Sequence, residues 1–265
     1  MPELPDVEVF KRYFNDTALH KKIEKVDVVD DAILENISSH SFQMRLKNET
    51  FKSTSRYGKY LFVALVRDEI LVMHFGMTGF LKYYKNDEKS PEYEKMIFNL
   101  NNGFKLAYVC TRKFGFIGLV DNQQEFIEKH ELGPDAYSDN LDWDTFKEIL
   151  EGRRGSIKTT LMNQKIIAGI GNVYSDEILF QAKIYPFSTV NNLTEKELKE
   201  IYKKMNWVFK KAIEANAEVD KFPEKFLLRH RETGAKCPIC GGTIKSEKYS
   251  GRTVYYCGDH QQKNN

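Results

Sequence analysis

Two stretches at opposite ends of the chain carry residue types that can do chemistry. The first is Met1-Pro2-Glu3-Leu4-Pro5-Asp6-Val7-Glu8. A small residue after the initiator makes Met1 a candidate for removal, which leaves Pro2 as a terminal secondary amine beside the carboxylates of Glu3 and Asp6. An α-amino group titrates near about pH 8, so a small shift leaves much of it neutral and nucleophilic. Such a nitrogen can attack an electrophilic sugar carbon, expel its substituent and form an iminium adduct. Glu3 stands close enough in sequence to donate and accept the protons that step needs. The same residues also suit a plain helix start, because proline and acidic side chains are favoured in a first turn.

The second stretch is Cys237-x2-Cys240, sixteen residues, then Cys257-x2-His260. Paired ligands two residues apart, repeated once, have the spacing of a tetrahedral structural zinc site. A redox Cys-x-x-Cys lacks the βαβ surroundings it needs. Four protein ligands leave no open position, so the expected Zn2+, one per chain, holds structure and does no chemistry. Cys110 stands alone in an apolar run and reads as core.

Three internal stretches are weaker on their own. Gly169-Ile170-Gly171-Asn172 lets backbone approach a ligand and offers helix N–H groups to phosphate, or it is an ordinary helix-helix turn. Arg112-Lys113-Phe114 pairs two cations with a ring, which suits a phosphate backbone and a base stack, or merely a surface loop. Met77, in His74-Phe75-Gly76-Met77-Thr78-Gly79, reads as core when taken alone.

The elements that must position these residues follow from periodicity. Residues 6–18 read as a helix with Val7, Phe10 and Phe14 on its buried stripe. From about 22 to 120 the chain is a series of short β-rich runs: 25–29, 41–46, 60–65, 70–74, 79–84, 96–100 and 104–109. Asn101-Asn102-Gly103 is a tight turn between the last two. That spacing predicts a two-layer sandwich or a barrel. After Leu132-Gly133-Pro134-Asp135, which reads as a linker, residues 143–217 are mostly helical. Thr194 is an N-cap there, and Glu197 completes a capping box. The end of the chain is a β-hairpin with bends at Gly241-Gly242 and Ser250-Gly251.

Composition sets the outer limits. The chain has 265 residues, 41% hydrophobic and 29% charged, as in an ordinary globular protein with one large or two modest domains. No run approaches the apolar length of a membrane span, and no basic-then-apolar leader opens the chain. Cytoplasmic residence in a reducing compartment is the expectation. Net charge is +2, but residues 1–150 hold 20 Lys and Arg against 25 Asp and Glu, while residues 151–265 hold 20 against 13. The basic C-terminal half suits a polyanionic partner.

Taken together, these stretches resemble the formamidopyrimidine-DNA glycosylase/endonuclease VIII family of base-excision repair enzymes, over nearly the whole chain and in the family's order. The resemblance implies an α+β architecture: an N-terminal β-sandwich domain with an N-terminal helix (1–130), a helix-two-turn-helix domain (131–233) and a zinc-finger hairpin (234–265). It implies that Pro2 attacks C1′ of a damaged nucleotide, that Glu3 protonates the opening sugar, and that Lys59 contacts phosphate near the lesion and assists catalysis. His74, Asn172 and Arg252 match positions that grip phosphates around the flipped nucleotide. Met77, Arg112 and Phe114 match side chains that fill the gap left by the extruded base. The partner implied is damaged double-stranded DNA, bound by a monomer with no membrane involved, near the nucleoid in a prokaryote. β,δ-Elimination would follow base release. A non-catalytic binder of damaged DNA using the same grip is the alternative.

Three departures stand out. Asp6 replaces the family's usual glutamate, and His260 replaces the usual fourth cysteine. The segment 218–231 is shorter than the loop that members specialised for 8-oxoguanine carry. Ring-opened purines, hydantoins or oxidised pyrimidines are the substrates that remain.

Overall fold

The computed structural model describes residues 1–112 and 114–261. Lys113, the middle of the Arg112-Lys113-Phe114 run, lies outside the described residues. The chain forms two compact units, one of residues 1–2 and 6–130, the other of residues 3–5 and 131–265.

The first unit is built on two four-stranded antiparallel sheets. One has β1 (Ile23–Val28), β6 (Glu94–Leu100), β7 (Phe104–Val109) and β5 (Phe80–Lys85) in that order. The other has β2 (Phe51–Tyr57), β3 (Tyr60–Leu65), β4 (Ile70–His74) and β8 (Phe116–Val120). Val26, Met96, Phe98 and Leu106 of one sheet share a core with Leu61, Val63, Leu71 and Met73 of the other, which makes the pair a sandwich. Val7 and Phe14 of helix α1 (Leu4–Thr17) join that core, as the apolar spacing predicts.

One expected strand is a helix. Residues 41–46 alternate as Ser-Phe-Gln-Met-Arg-Leu, yet they lie in α2 (Ser39–Leu46), capped by the Ser38 side chain on Ser41 N–H. Phe42 and Leu46 are buried one turn apart, whereas Met44 faces solvent. The alternation therefore hides an i, i+4 face. Two strands, β2 and β8, lie outside the runs that the sequence pattern marks. Only Phe51 of β2 is buried, so its polar sequence gives little signal.

The second unit is helical: α4 (Trp143–Leu150), α5 (Ile157–Met162), α6 (Asn172–Ala182) and α7 (Glu195–Glu214), with α3 (Gln123–Lys129) closing the first unit. Thr194 and Glu197 form the expected capping box at the start of α7. Leu4 belongs to this unit's core with Ile170, Ile178, Leu179 and Phe209. The hairpin β9 (Ile244–Tyr249) and β10 (Arg252–Cys257) pairs in register from Arg252–Tyr249 to Cys257–Ile244. Its base packs on Phe180 of α6. No helix among the described residues is long and apolar enough to cross a membrane.

Candidate active site and metal centre

The N-terminal carboxylate has a built receptor. Glu3 is fully buried, and its two oxygens accept from Gly171 N–H at 2.8 Å, Val173 N–H at 2.8 Å and Tyr174 N–H at 3.1 Å. These N–H groups open α6, where backbone donors have no partners in the helix and the dipole favours negative charge. Leu4 N–H donates to the Gly169 carbonyl at 3.1 Å. Both glycines are required by what they touch. A Cβ on Gly171 would lie 2.3 Å from the Glu3 carboxyl, and one on Gly169, at φ +112°, 2.5 Å from the Leu4 side chain. The Gly-Ile-Gly run is therefore a cradle for Glu3-Leu4. Pro2 is one peptide bond away from this fixed carboxylate.

Asn172, the first residue of α6, donates from Nδ2 to the Thr253 carbonyl of β10 at 3.0 Å. Arg252 is exposed at the start of that strand. Beneath them lies an unforeseen cluster. Lys158 Nζ, buried, bonds Asp176 Oδ1 at 2.6 Å, Ser175 Oγ at 2.7 Å and the Asn172 carbonyl at 3.0 Å. Arg231 grips Asp176 Oδ2 through Nη2 at 2.8 Å and Nε at 3.1 Å. No local pattern in the sequence could have paired charges so far apart. The nearest signal is a lysine and an aspartate on faces that are otherwise apolar.

In the first unit, Lys59 occupies the two-residue turn between β2 and β3, where Gly58 takes φ +54°. His74 ends β4 opposite Tyr60 and stacks on Phe116, with ring centres 5.6 Å apart. Burial, followed by the nearby Lys59 charge, pulls its pKa down to about 4. Its imidazole is therefore neutral at physiological pH and can offer one N–H.

Met77, Arg112 and Phe114 sit on two loops that lean on each other. Arg112 Nη1 is 3.9 Å from Met77 Sδ. The Arg112 N–H donates to Thr78 Oγ1 at 3.1 Å, and its carbonyl accepts from the buried Cys110 thiol at 2.6 Å. A Cβ on Gly76 would meet the Gly115 nitrogen at 2.4 Å. Phe114 is 66% exposed and Met77 39%. Met77 is thus no core residue; with Phe114 it stands as an exposed apolar side chain on the paired loops.

Among the described residues, one group can hold a metal ion: the sulfurs of Cys237, Cys240 and Cys257, all within 4.8 Å of one another. None is in a disulfide. The Gly242 N–H lowers the pKa of Cys240, whereas burial pushes Cys257 up to about 12. A cation is what would hold three such sulfurs as thiolates. His260 is not gathered with them. Its Nε2 lies 3.0 Å from the Phe180 carbonyl, and burial lowers its pKa. Three of the four expected ligands are therefore together, and the donor set fits a thiophilic cation.

The formamidopyrimidine-DNA glycosylase N-terminal domain matches residues 1–117, and the H2TH domain of that enzyme matches residues 132–223. The formamidopyrimidine-DNA glycosylase of Ureaplasma parvum serovar 3 is 34% identical over 98% of this chain and 100% of its own length. That of Bacillus licheniformis is 32% identical over 99% of this chain and 100% of its own. The structure of Lactococcus lactis Fpg with an abasic site containing DNA superposes with a TM-score of 0.91 at 26% identity, covering 99% of this chain and 100% of that one. The same enzyme with a FAPY-dG containing DNA gives 0.91 at 27%, over 98% and 100%. The chain belongs to the formamidopyrimidine-DNA glycosylase family.

Proposed function

We propose that this chain is a bifunctional DNA glycosylase and AP lyase acting on oxidised or ring-opened bases in duplex DNA. The observation that carries the reading is the Glu3 carboxylate clamped by three N–H groups of α6 directly after Pro2. A structural helix start needs no such receptor. Once Met1 is removed, the Pro2 nitrogen lone pair attacks C1′ and the bond from C1′ to the base breaks. The base leaves with a proton, the nitrogen gives up its own, and its lone pair then expels O4′, which takes a proton as the C1′–O4′ bond breaks and the iminium forms. The iminium acidifies C2′–H. Removal of that proton expels the 3′ phosphate, a second elimination expels the 5′ phosphate, and water releases the enzyme. Glu3 is the group that exchanges protons with the opening sugar in this reading.

Chemistry at C1′ needs the nucleotide out of the stack, and Met77, Arg112 and Phe114 form the wedge that offsets the lost stacking. Lys59, His74, Asn172 and Arg252 hold the phosphates, with His74 as a neutral donor. The segment 218–231 is taken up by packing, with Phe222, Phe226, Leu227 and Leu228 buried. That supports formamidopyrimidines, hydantoins or oxidised pyrimidines, rather than 8-oxoguanine, as substrates. Zinc is the proposed ion, held by Cys237, Cys240 and Cys257; His260, whose Nε2 is taken by the Phe180 carbonyl, would be the fourth ligand through its other ring nitrogen. When bound it cross-links the hairpin and takes no part in the reaction.

Borohydride should trap a covalent adduct on a duplex carrying one formamidopyrimidine or abasic site, and Pro2→Gly should weaken the trapping. Intact mass should show Met1 absent. A retained Met1 makes the Pro2 nitrogen an amide, which leaves only a damage-binding protein. No adduct with any oxidised-base or abasic duplex overturns the enzymatic reading.

A further inference from the structure

Asp176 is the hub of a charge cluster that reaches Asn172 and the backbone of the strand that carries Arg252. Its Oδ1 accepts from Lys158, and its Oδ2 accepts from Arg231 twice and from the Tyr255 N–H of β10 at 3.3 Å. Lys158 has three protons, and all three find oxygen: Asp176, Ser175 and the Asn172 carbonyl. Arg231 also reaches the Thr253 carbonyl at 3.5 Å and stacks over the Tyr255 ring at 4.5 Å. One carboxylate thus ties down the first turn of α6, which begins at Asn172, and the strand residues beside Arg252.

Lys158 and Asp176 are buried and Arg231 is partly exposed; burying such charges is costly, and a buried ion pair seldom stabilises more than apolar packing of the same volume. Its stronger effect is on geometry, because its members have already given up water and lose their compensating partners if the arrangement slips. The two segments it joins come from residues 172–176 and 253–255, and the Asn172 to Thr253 bond closes the ring between them. We propose that Asp176 is a positioning residue that makes Asn172 and Arg252 grip phosphate as one rigid unit. This rests on the DNA-binding reading given above.

The test uses the metal-loaded full chain and a duplex with one tetrahydrofuran abasic analogue, with affinity measured across a salt series. Asp176→Asn breaks the hub, and Arg231→Gln removes only its outer cation, so the second variant serves if the first does not fold. Each should weaken binding about tenfold and lower the log-log salt slope by about one, the share of a single phosphate. Metal content should not change. Arg252→Ala should lower the slope by the same amount, and adding Arg231→Gln to it should lower it no further. A merely structural hub lowers the melting temperature and leaves the slope intact, which overturns the proposal. So do losses from Arg231→Gln and Arg252→Ala that simply sum. A wild-type chain that fails to bind the duplex overturns the DNA-binding reading itself.

Discussion

Replacing Gly171 with alanine tests whether the start of α6 exists to hold Glu3. The backbone there, φ −126° and ψ −160°, is open to any residue. The demand for glycine is therefore steric. The new Cβ would fall 2.3 Å from the Glu3 carboxyl, where ordinary contact begins at 3.4 Å, so the carboxylate must retreat by about 1 Å. Bonds of 2.8–3.1 Å to three N–H groups cannot survive that retreat. A 1 Å misplacement costs about 100-fold in rate, or about 2.7 kcal/mol on the barrier. The assay is single-turnover cleavage of a duplex with one formamidopyrimidine, at saturating protein, scoring base release and nicking separately. Gly171→Ala should slow both steps about 100-fold, while metal content and duplex affinity stay near wild type. Glu3→Gln, which keeps the space but turns an amide NH2 toward the same N–H groups, should be at least as slow. A Gly171→Ala rate within about threefold of wild type, beside a dead Glu3→Gln, would refute the cradle.

The other expectations can be checked separately. His74 titrates near 4 when folded and 6.5 when free, so the unfolded chain takes up its proton first, and stability falls as pH drops from 6.5 toward 4. Glu177 runs the other way. Complete burial raises its pKa from 4.5 to about 7, so its contribution is full below 4.5 and is lost as pH rises to about 7. Urea midpoints from about pH 4 to 8 should then lose the acid-side fall in His74→Gln and the opposite slope in Glu177→Gln; curves parallel to wild type would contradict both. Gly76→Ala, at φ +56° with its Cβ 2.4 Å from Gly115 N, should destabilise by about 1–3 kcal/mol and blunt lesion discrimination, read as the binding ratio of abasic to intact duplex. Metal analysis should find one zinc per chain. Chelation should make the three clustered sulfurs reactive to a thiol reagent while the sandwich keeps its near-UV signal.

Much of the fold is legible in the amino-acid sequence alone. The capping box at Thr194 and Glu197, the runs 60–65, 70–74 and 104–109, and the cysteine spacing are local facts, and local facts survive folding. What the sequence conceals is of two kinds. Residues 41–46 fit a strand period and a helix period equally, and only burial of Phe42 and Leu46 with exposure of Met44 decides between them. Lys158, Asp176 and Arg231 are hidden for another reason. Charges separated by 18 and 55 residues form a cluster only once α5, α6 and the segment that ends at Arg231 are packed. The Gly-Ile-Gly run, taken as residues, suits a phosphate loop or a turn. In the fold it is the seat of an internal carboxylate, and the anion at the helix start is the chain's own.

That seat has a consequence for synthesis. Glu3 bonds to donors 168, 170 and 171 residues downstream. At about 5–20 residues per second, translation needs roughly 10–30 s to deliver them. Throughout that interval Glu3 lacks the donors that hold it in the folded chain, although Val7 and Phe14 of the same helix already have their core partners in the sandwich, so the two ends of α1 settle at different times.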